Sequence, residues 1–490
     1  MRRSMLASML ILTMVSPAVR AQNDADLLLA MQRTMTKVIQ QNENSIACIL
    51  VSRSEFHPRD VKNPGKLGAY EPERLLIDPK ITGLERDLLR KKLDLADPNN
   101  IPPSFGSGVV IDAQGLILTN YHVVQEAAKI YVRLPGGKGS YADIHAADPR
   151  CDLAVLKLLN KDLLPLKAIP LGDADRMERG NFVLTLSNPF AAGFRDGQPS
   201  ASYGILSNIR RRTIANLKEE ERVKPFHYYG TLLQTDARLH LGCSGGAMLN
   251  LRGELVGLLT SLAAIQGGET PGGFAVPVNV AMRPIIEVLK RGEEVDYGFL
   301  GVGFDPRGAD GELGVRLKVV GEGSPAAIDG KLRPGDLLMA VNAQPIHESD
   351  DVYTTVGMHL AGSKIKLHVR RNGKDSIVDV TLAKLYVPGK KIASSLGNRP
   401  FVRGMRVDHT SLIVQFEERT TNIVPQGVLV SDVLPKTSAD AAKLRFGDVV
   451  TQVNGVFVAN PAAFYQAVDN ARGIVELTLA TRPPTKVFLK

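Results

Sequence analysis

Three side chains in this sequence could together make an activated nucleophile: Ser244, His122 and Asp152. A serine hydroxyl attacks poorly at neutral pH unless a neighbouring base takes its proton. Histidine does this best, and a carboxylate behind the ring fixes its tautomer and stabilises the imidazolium. Ser244 lies in Gly242-Cys243-Ser244-Gly245-Gly246. Glycines on both sides allow a tight turn and close approach of backbone to substrate. Such a turn can aim the N–H groups of Gly242 and Ser244 at a developing oxyanion, where losing one donor raises the barrier by about 3 kcal/mol. His122 stands in Thr119-Asn120-Tyr121-His122-Val123-Val124, and Asp152 heads the apolar run Leu153-Ala154-Val155-Leu156. Each has a blander reading when taken alone: a surface turn, a structural histidine, a turn carboxylate. Asp148, before Pro149, is a local rival to Asp152, and His240 is a rival base four residues before Ser244.

The elements around these residues read as short strands. Gly108 to Ile111 and Leu116 to Leu118 flank the turn Asp112-Ala113-Gln114-Gly115, which predicts a hairpin leading to His122. Asp152 to Leu158 reads as another strand, and Ala247 to Asn250 pairs with Glu254 to Leu258 around Arg252-Gly253. Strands at this spacing, without regular intervening helices, suggest a barrel or sandwich. Residues 24–40 have the apolar spacing of a helix, with Leu27, Leu28, Met31, Met35, Val38 and Ile39 on one face. Ser45 to Val51 reads as a strand, and a helix over Ala281 to Lys290 closes the region. A polar, proline-containing insertion over residues 55–103, with one helix around Leu84 to Leu95, interrupts the strands. Loops of that length are usually functional or disordered.

The C-terminal part repeats itself. Gly323-Ser324-Pro325-Ala326-Ala327, followed by Leu332-Arg333-Pro334-Gly335-Asp336, returns as Lys436-Thr437-Ser438-Ala439-Asp440, followed by Leu444-Arg445-Phe446-Gly447-Asp448. Two copies of one small module are the natural reading.

The 490 residues suffice for about three domains, and 44% apolar with 23% charged residues is ordinary for a globular protein. Arg2 and Arg3, an apolar stretch from Met5 to Val15, a break at Ser16-Pro17 and the small-x-small site Val19-Arg20-Ala21 read as a signal peptide over residues 1–21, cleaved after Ala21. The chain is therefore expected to be exported, periplasmic or secreted, with membrane contact only if that segment is retained. The formal charge of +9 is spread thinly, and the Arg210-Arg211-Arg212 cluster reads as a solvated loop, so nucleic acid is not an expected partner. Three cysteines, Cys48, Cys151 and Cys243, do not make a disulfide framework, although a Cys151–Cys243 bridge is conceivable. Neither CxxC nor HExxH appears, so no metal and no cofactor is expected.

The order His122, Asp152, Ser244 is that of two-barrel, chymotrypsin-type proteases. Residues from about 45 to 290 resemble the trypsin-like protease domain of the HtrA/DegP family. The resemblance rests on Gly106-Ser107-Gly108-Val109-Val110, Thr119-Asn120-Tyr121-His122-Val123-Val124, Cys151-Asp152-Leu153-Ala154-Val155-Leu156, Ser187-Asn188-Pro189-Phe190, Gln234-Thr235-Asp236-Ala237, the glycine turn, and Gly273-Phe274-Ala275-Val276-Pro277. It implies a mainly β fold with a double β-barrel protease domain over 45–292 and a His122–Asp152–Ser244 triad. Gly242 and Ser244 would be the oxyanion donors. It also implies endopeptidase activity on unfolded or misfolded polypeptides, and a homo-oligomer, commonly a trimer. Where the family has Pro-Gly-Asn-Ser, this chain has Leu241-Gly242-Cys243-Ser244, which removes the proline that presets the turn and makes Cys243 a second candidate nucleophile. The cleavage pocket is expected from the loops Ser187 to Gly193 and Leu259 to Ala264, whose apolar residues hint at small aliphatic preference. A protease-fold scaffold with little catalysis is the alternative from another class.

The repeated modules resemble PDZ domains, over 297–385 and 400–490, with a linker at 386–399. By resemblance, the N–H groups of Leu300, Gly301 and Val302 hold a peptide's C-terminal carboxylate while the peptide adds to the sheet edge. In the second copy Arg403-Gly404-Met405-Arg406-Val407 lies at the matching place, with Arg406 expected opposite Gly301. The resemblance places regulatory loops at the 55–103 insertion and at Arg210 to Tyr229, which a peptide bound to the first module would order.

Overall fold

The computed structural model describes residues 17–52, 80, 82–84, 94–98, 102, 104–125, 127, 129–211, 232–260, 273–305, 313–385, 392–393, 401–410, 426–481 and 483–489. The centre of the insertion, most of the 210–229 loop, and residues 261–264 lie outside these residues.

Twelve strands build two closed barrels. The first contains β1 (Ile46–Ser52), β2 (Ser104–Asp112), β3 (Leu116–Asn120), β4 (Lys129–Arg133), β5 (Gly139–Asp148) and β6 (Leu153–Leu158). Their order is β5-β4-β1-β2-β3-β6, and β5 pairs with β6 to close the cylinder. The second contains β7 (Phe182–Ser187), β8 (Ser200–Arg211), β9 (Leu232–Thr235), β10 (Ala247–Leu249), β11 (Leu255–Thr260) and β12 (Gly273–Pro277), in the order β10-β11-β12-β9-β8-β7. Closure removes the exposed strand edges that would otherwise seek partners.

The interiors are aliphatic, as a chain without Trp requires. Ile49, Val51, Val110, Ile117, Val132, Ala154 and Leu156 fill the first barrel. A second cluster crosses from Val109 and Leu118 to Leu184, Leu249, Leu258 and Val276 of the second barrel. Helix α1 (Pro17–Asn42) begins earlier than its apolar pattern predicts and runs through the expected cleavage point. Its C-terminal part packs on the second cluster through Met35, Val38 and Ile39, while Leu27 and Leu28 are exposed. The one-turn helix α2 (Tyr121–Val124) follows β3 directly, and α3 (Met282–Lys290) ends the barrel region.

Two similar modules follow. In the first, a sheet of Val302–Phe304, Val315–Val320, Leu337–Val341, Lys364–Arg371 and Lys374–Thr381 carries helices α4 (Pro325–Ile328) and α5 (Ser349–Gly357). In the second, Met405–His409, Val428–Val433, Val449–Val453, Val475–Leu479 and Thr485–Leu489 carry α6 (Ser438–Ala441) and α7 (Pro461–Asp469). The linker between them holds one surprise. Ile392–Ala393 pairs antiparallel with Ala146 and Ala147 of β5, using backbone groups on the outer edge of the first barrel. Lys384, at the end of the first module, is only 5% exposed, and its ammonium lies 3.0 Å from Asp296 and 2.5 Å from Asp408 of the second module.

Candidate active site

His122 and Asp152 sit at the ends of strands, and Ser244 sits in the turn between β9 and β10. His122 is the second residue of α2, just beyond β3. Asp152 lies immediately before β6, at φ +54, a left-handed conformation uncommon for a residue with a side chain. Pairing of β3 with β6, with Asn120 opposite Leu153, brings the two together. Both carboxylate oxygens of fully buried Asp152 then face His122. Oδ1 accepts the His122 backbone N–H at 2.8 Å, and Oδ2 accepts Nδ1 at 2.8 Å. An ionised carboxylate only accepts, so Nδ1 carries the proton and Nε2 keeps its lone pair.

Ser244 is 4% exposed and follows a turn whose glycines have steric reasons. Gly242 is at φ +94, with the Asn188 carbonyl 2.7 Å from where a Cβ would stand. Gly245 is at φ +83, and a Cβ there would overlap the carbonyl of Ser107. The turn is tied to β2: Ser107 N–H donates to the Ser244 carbonyl at 2.8 Å, and Ser107 Oγ–H donates to the Gly242 carbonyl at 2.7 Å. It is tied to the 188–193 loop as well, where Phe190 N–H donates to the Leu241 carbonyl at 2.6 Å. Among the described contacts the Gly242 N–H has no protein acceptor.

The rivals are placed elsewhere. The Asp148 carboxylate accepts the N–H groups of Arg150 and Cys151 at 3.2 and 3.3 Å and the buried Tyr297 hydroxyl, so it organises the loop that delivers Asp152. The Cys243 side chain belongs to the second barrel's core, and its Sγ accepts the His240 N–H at 3.3 Å. The His240 ring stacks on Phe190 with centroids 5.5 Å apart, and among the described residues no carboxylate touches it. All three cysteines are free and buried, so Cys151 and Cys243 are not bridged. Burial pushes the Cys48 thiol up to about 12 and the Cys151 thiol well above its ordinary range, which keeps both protonated and inert.

Comparison with known proteins bears directly on this arrangement. The trypsin-like peptidase domain family matches residues 106–258, and PDZ domain families match residues 298–382 and 408–480. A probable periplasmic serine endoprotease, DegP-like, of Pseudomonas putida (strain W619) is 33% identical over 371 residues, covering 74% of this chain and 73% of its own. The periplasmic serine endoprotease DegP of Escherichia coli (strain K12) is 30% identical over 386 residues, 77% of this chain and 74% of its own. The chain belongs to the HtrA/DegP family of serine endoproteases. Among solved structures, the HtrA-type protease AlgW with decapeptide is 26% identical, covering 72% of this chain and 99% of its own, with a TM-score of 0.48.

In this HtrA-type endopeptidase the first PDZ domain opens on a tight turn before its edge strand. Gly301 is at φ +83, its carbonyl accepts Gly321 N–H, and the Leu300 carbonyl accepts Ala326 N–H. The N–H groups of Leu300 and Gly301 have no partner among the described contacts, and Val302 begins the edge strand. The expected match of Arg406 with Gly301 does not hold. Gly301 packs against Ser324, which caps α4, and Ala326 N–H reaches the Leu300 carbonyl. In the second PDZ domain Gly404, at φ +89, packs against Thr437, which caps α6, and Ala439 N–H reaches the Arg403 carbonyl. The helix cap sets the register, so Gly404 is the counterpart of Gly301. Arg406 lies two residues further along the strand, with its guanidinium 3.8 Å from the centre of the Phe401 ring.

Sequence reasoning missed Ser107, Asn188 and Tyr297 as supports of the site. The first two stand inside motifs that carried the family resemblance, but their partners are about 80 to 135 residues away.

Proposed function

We propose that Ser244 attacks the carbonyl of a peptide bond while His122 takes its proton at Nε2. Asp152 holds the ring and stabilises the imidazolium, and the Gly242 and Ser244 N–H groups receive the oxyanion. His122 then protonates the leaving amine, and water, activated by the same base, releases the acyl-enzyme. The observation that carries this reading is the contact of both Asp152 oxygens with His122 at 2.8 Å. A serine-directed fluorophosphonate tests it. The wild type is expected to label, Ser244→Ala to lose both label and turnover by about a million-fold in kcat, and Cys243→Ala to keep both. Label retained in Ser244→Ala, or a wild type that neither labels nor cleaves unfolded casein, would overturn the reading in favour of a peptide-binding scaffold.

Substrates in this reading are unfolded or misfolded chains, met in the periplasm that the names of the DegP-like relatives print, and the chain reaches it after cleavage behind Ala21. The enzyme works as a homo-oligomer, which light scattering of the mature chain tests directly. The first PDZ domain binds a peptide's C-terminal carboxylate at Leu300, Gly301 and Val302, and the bound peptide raises turnover. Gly301→Ala puts a Cβ against Ser324 at a left-handed φ, so it should weaken a fluorescent peptide with a free C-terminus at least tenfold. Equal anisotropy titrations of the two proteins would count against that site.

A further inference from the structure

We infer that Ser107 is a positioning residue for the oxyanion site, holding the Gly242–Cys243 peptide from the opposite barrel. The inference rests on the reading that Gly242 N–H receives the oxyanion.

Ser107 is fully buried on β2, and its polar atoms are all spent around the catalytic turn. Its N–H donates to the Ser244 carbonyl, and its carbonyl accepts the Thr119 hydroxyl at 2.7 Å. Its hydroxyl has one proton, which goes to the Gly242 carbonyl at 2.7 Å, while a lone pair accepts the Asn188 N–H at 2.8 Å. Asn188 in turn reaches the Ala47 carbonyl of β1 at 3.0 Å through Nδ2. One hydroxyl thus joins the turn, the 188–193 loop and the first barrel.

Peptide units are planar, so fixing a carbonyl fixes the N–H on the other side of the same unit. The Leu241 carbonyl is held by Phe190 N–H, which turns the Gly242 N–H away from that loop. The Gly242 carbonyl is held by Ser107, and the Cys243 N–H of the same unit by the His240 carbonyl at 3.0 Å. Gly242 has no side chain to resist a flip of either unit. Leu241 does not restrict the backbone as a proline would. The 188–193 loop thus holds the unit that carries the Gly242 N–H, and Ser107 of β2 holds the unit on the other side of the Gly242 Cα, so the two together fix the rotation about that residue.

The test uses the full chain and a peptide aldehyde carrying 13C at its carbonyl. Ser244 Oγ adds to the aldehyde reversibly: one C–O bond forms, the carbonyl π pair becomes a lone pair on the hemiacetal oxygen, and the Oγ proton passes through His122 to that oxygen. The 13C shift against pH reports where that oxygen ionises. In the wild type it should ionise well below a free hemiacetal. In Ser107→Ala the ionisation should move up by at least about one pH unit, with kcat on a fluorogenic peptide down about 10- to 100-fold and KM nearly unchanged. Ser107→Cys, whose thiol is a weak donor, should fall between and decides the matter if the alanine variant does not fold. Thr119→Val removes a buried hydrogen bond to the same residue without touching Gly242, and should leave the ionisation in place. A wild-type titration in Ser107→Ala, or the same upward shift in Thr119→Val, overturns the positioning role. An unshifted hemiacetal in the wild type instead removes the Gly242 reading on which it rests.

Discussion

Replacing Asp152 by asparagine should lower kcat about ten-thousand-fold without unfolding the protein. The carboxylate is boxed between two donors, the His122 backbone N–H and Nδ1–H. An asparagine offers one oxygen and one NH2. The backbone N–H has no alternative state, so the oxygen must serve it. The NH2 then faces Nδ1, which has to become an acceptor. That tautomer places the proton on Nε2, where it cannot accept one from Ser244. The loss corresponds to about 5.5 kcal/mol of barrier. The scaffold survives because the Asp152 carbonyl, which the substitution keeps, accepts Tyr121 N–H at 3.0 Å and Asn120 Nδ2 at 3.2 Å. Steady-state rates with a fluorogenic peptide, read beside a calorimetric scan, check both halves. A loss below tenfold would mean that His122 gets its tautomer from elsewhere.

Asp148→Ala should instead act on stability. Its carboxylate accepts two backbone N–H groups and the hydroxyl of Tyr297, which is 1% exposed. Burial raises the Tyr297 phenol well above its ordinary range, so the hydroxyl stays a donor at every working pH. The Arg150 guanidinium sits 4.3 Å from the centre of the same ring. Alanine leaves three buried donors without an acceptor and takes a negative charge away from Arg150. The expected loss is about 3 to 5 kcal/mol. For a domain of this size that lowers Tm by roughly 10 °C. Tyr297→Phe, which leaves Asp148 both backbone donors, should have a smaller effect, about 1 kcal/mol. A calorimetric shift below about 2 °C for Asp148→Ala would show that water replaces the lost acceptor.

These two carboxylates also show how far the sequence could be read. The order of His122, Asp152 and Ser244, with their flanking motifs, marks the triad candidates in the sequence itself. Asp148 stood four residues from Asp152 as a local rival, because no local pattern says which way a side chain leaves a loop. The β3–β6 pairing sets Asp152 beside His122, and Tyr297 claims Asp148 from 149 positions away. The barrels were legible as strands and turns, but Ser107 looked like part of a glycine-flanked strand, since its hydroxyl finds a partner only across the two barrels. The register of the second PDZ domain is not legible locally, because the helix caps Ser324 and Thr437, more than twenty residues downstream, fix the alignment of Gly404 with Gly301. Two residues of linker pairing with β5 are too few to leave any periodicity.

The shared ammonium of Lys384 has a consequence for how the second PDZ domain is held. Asp408 is bound to a residue only 24 positions earlier in the same chain, and Ile392–Ala393 is fastened to β5 between them. Docking of that domain is therefore an intramolecular event at a local concentration on the order of millimolar. At that concentration, a contact with a dissociation constant of about 10 μM between separate pieces would be occupied about 99% of the time. The interface can be small and polar and still be closed, and cutting the chain between Ala393 and Phe401 should free the domain.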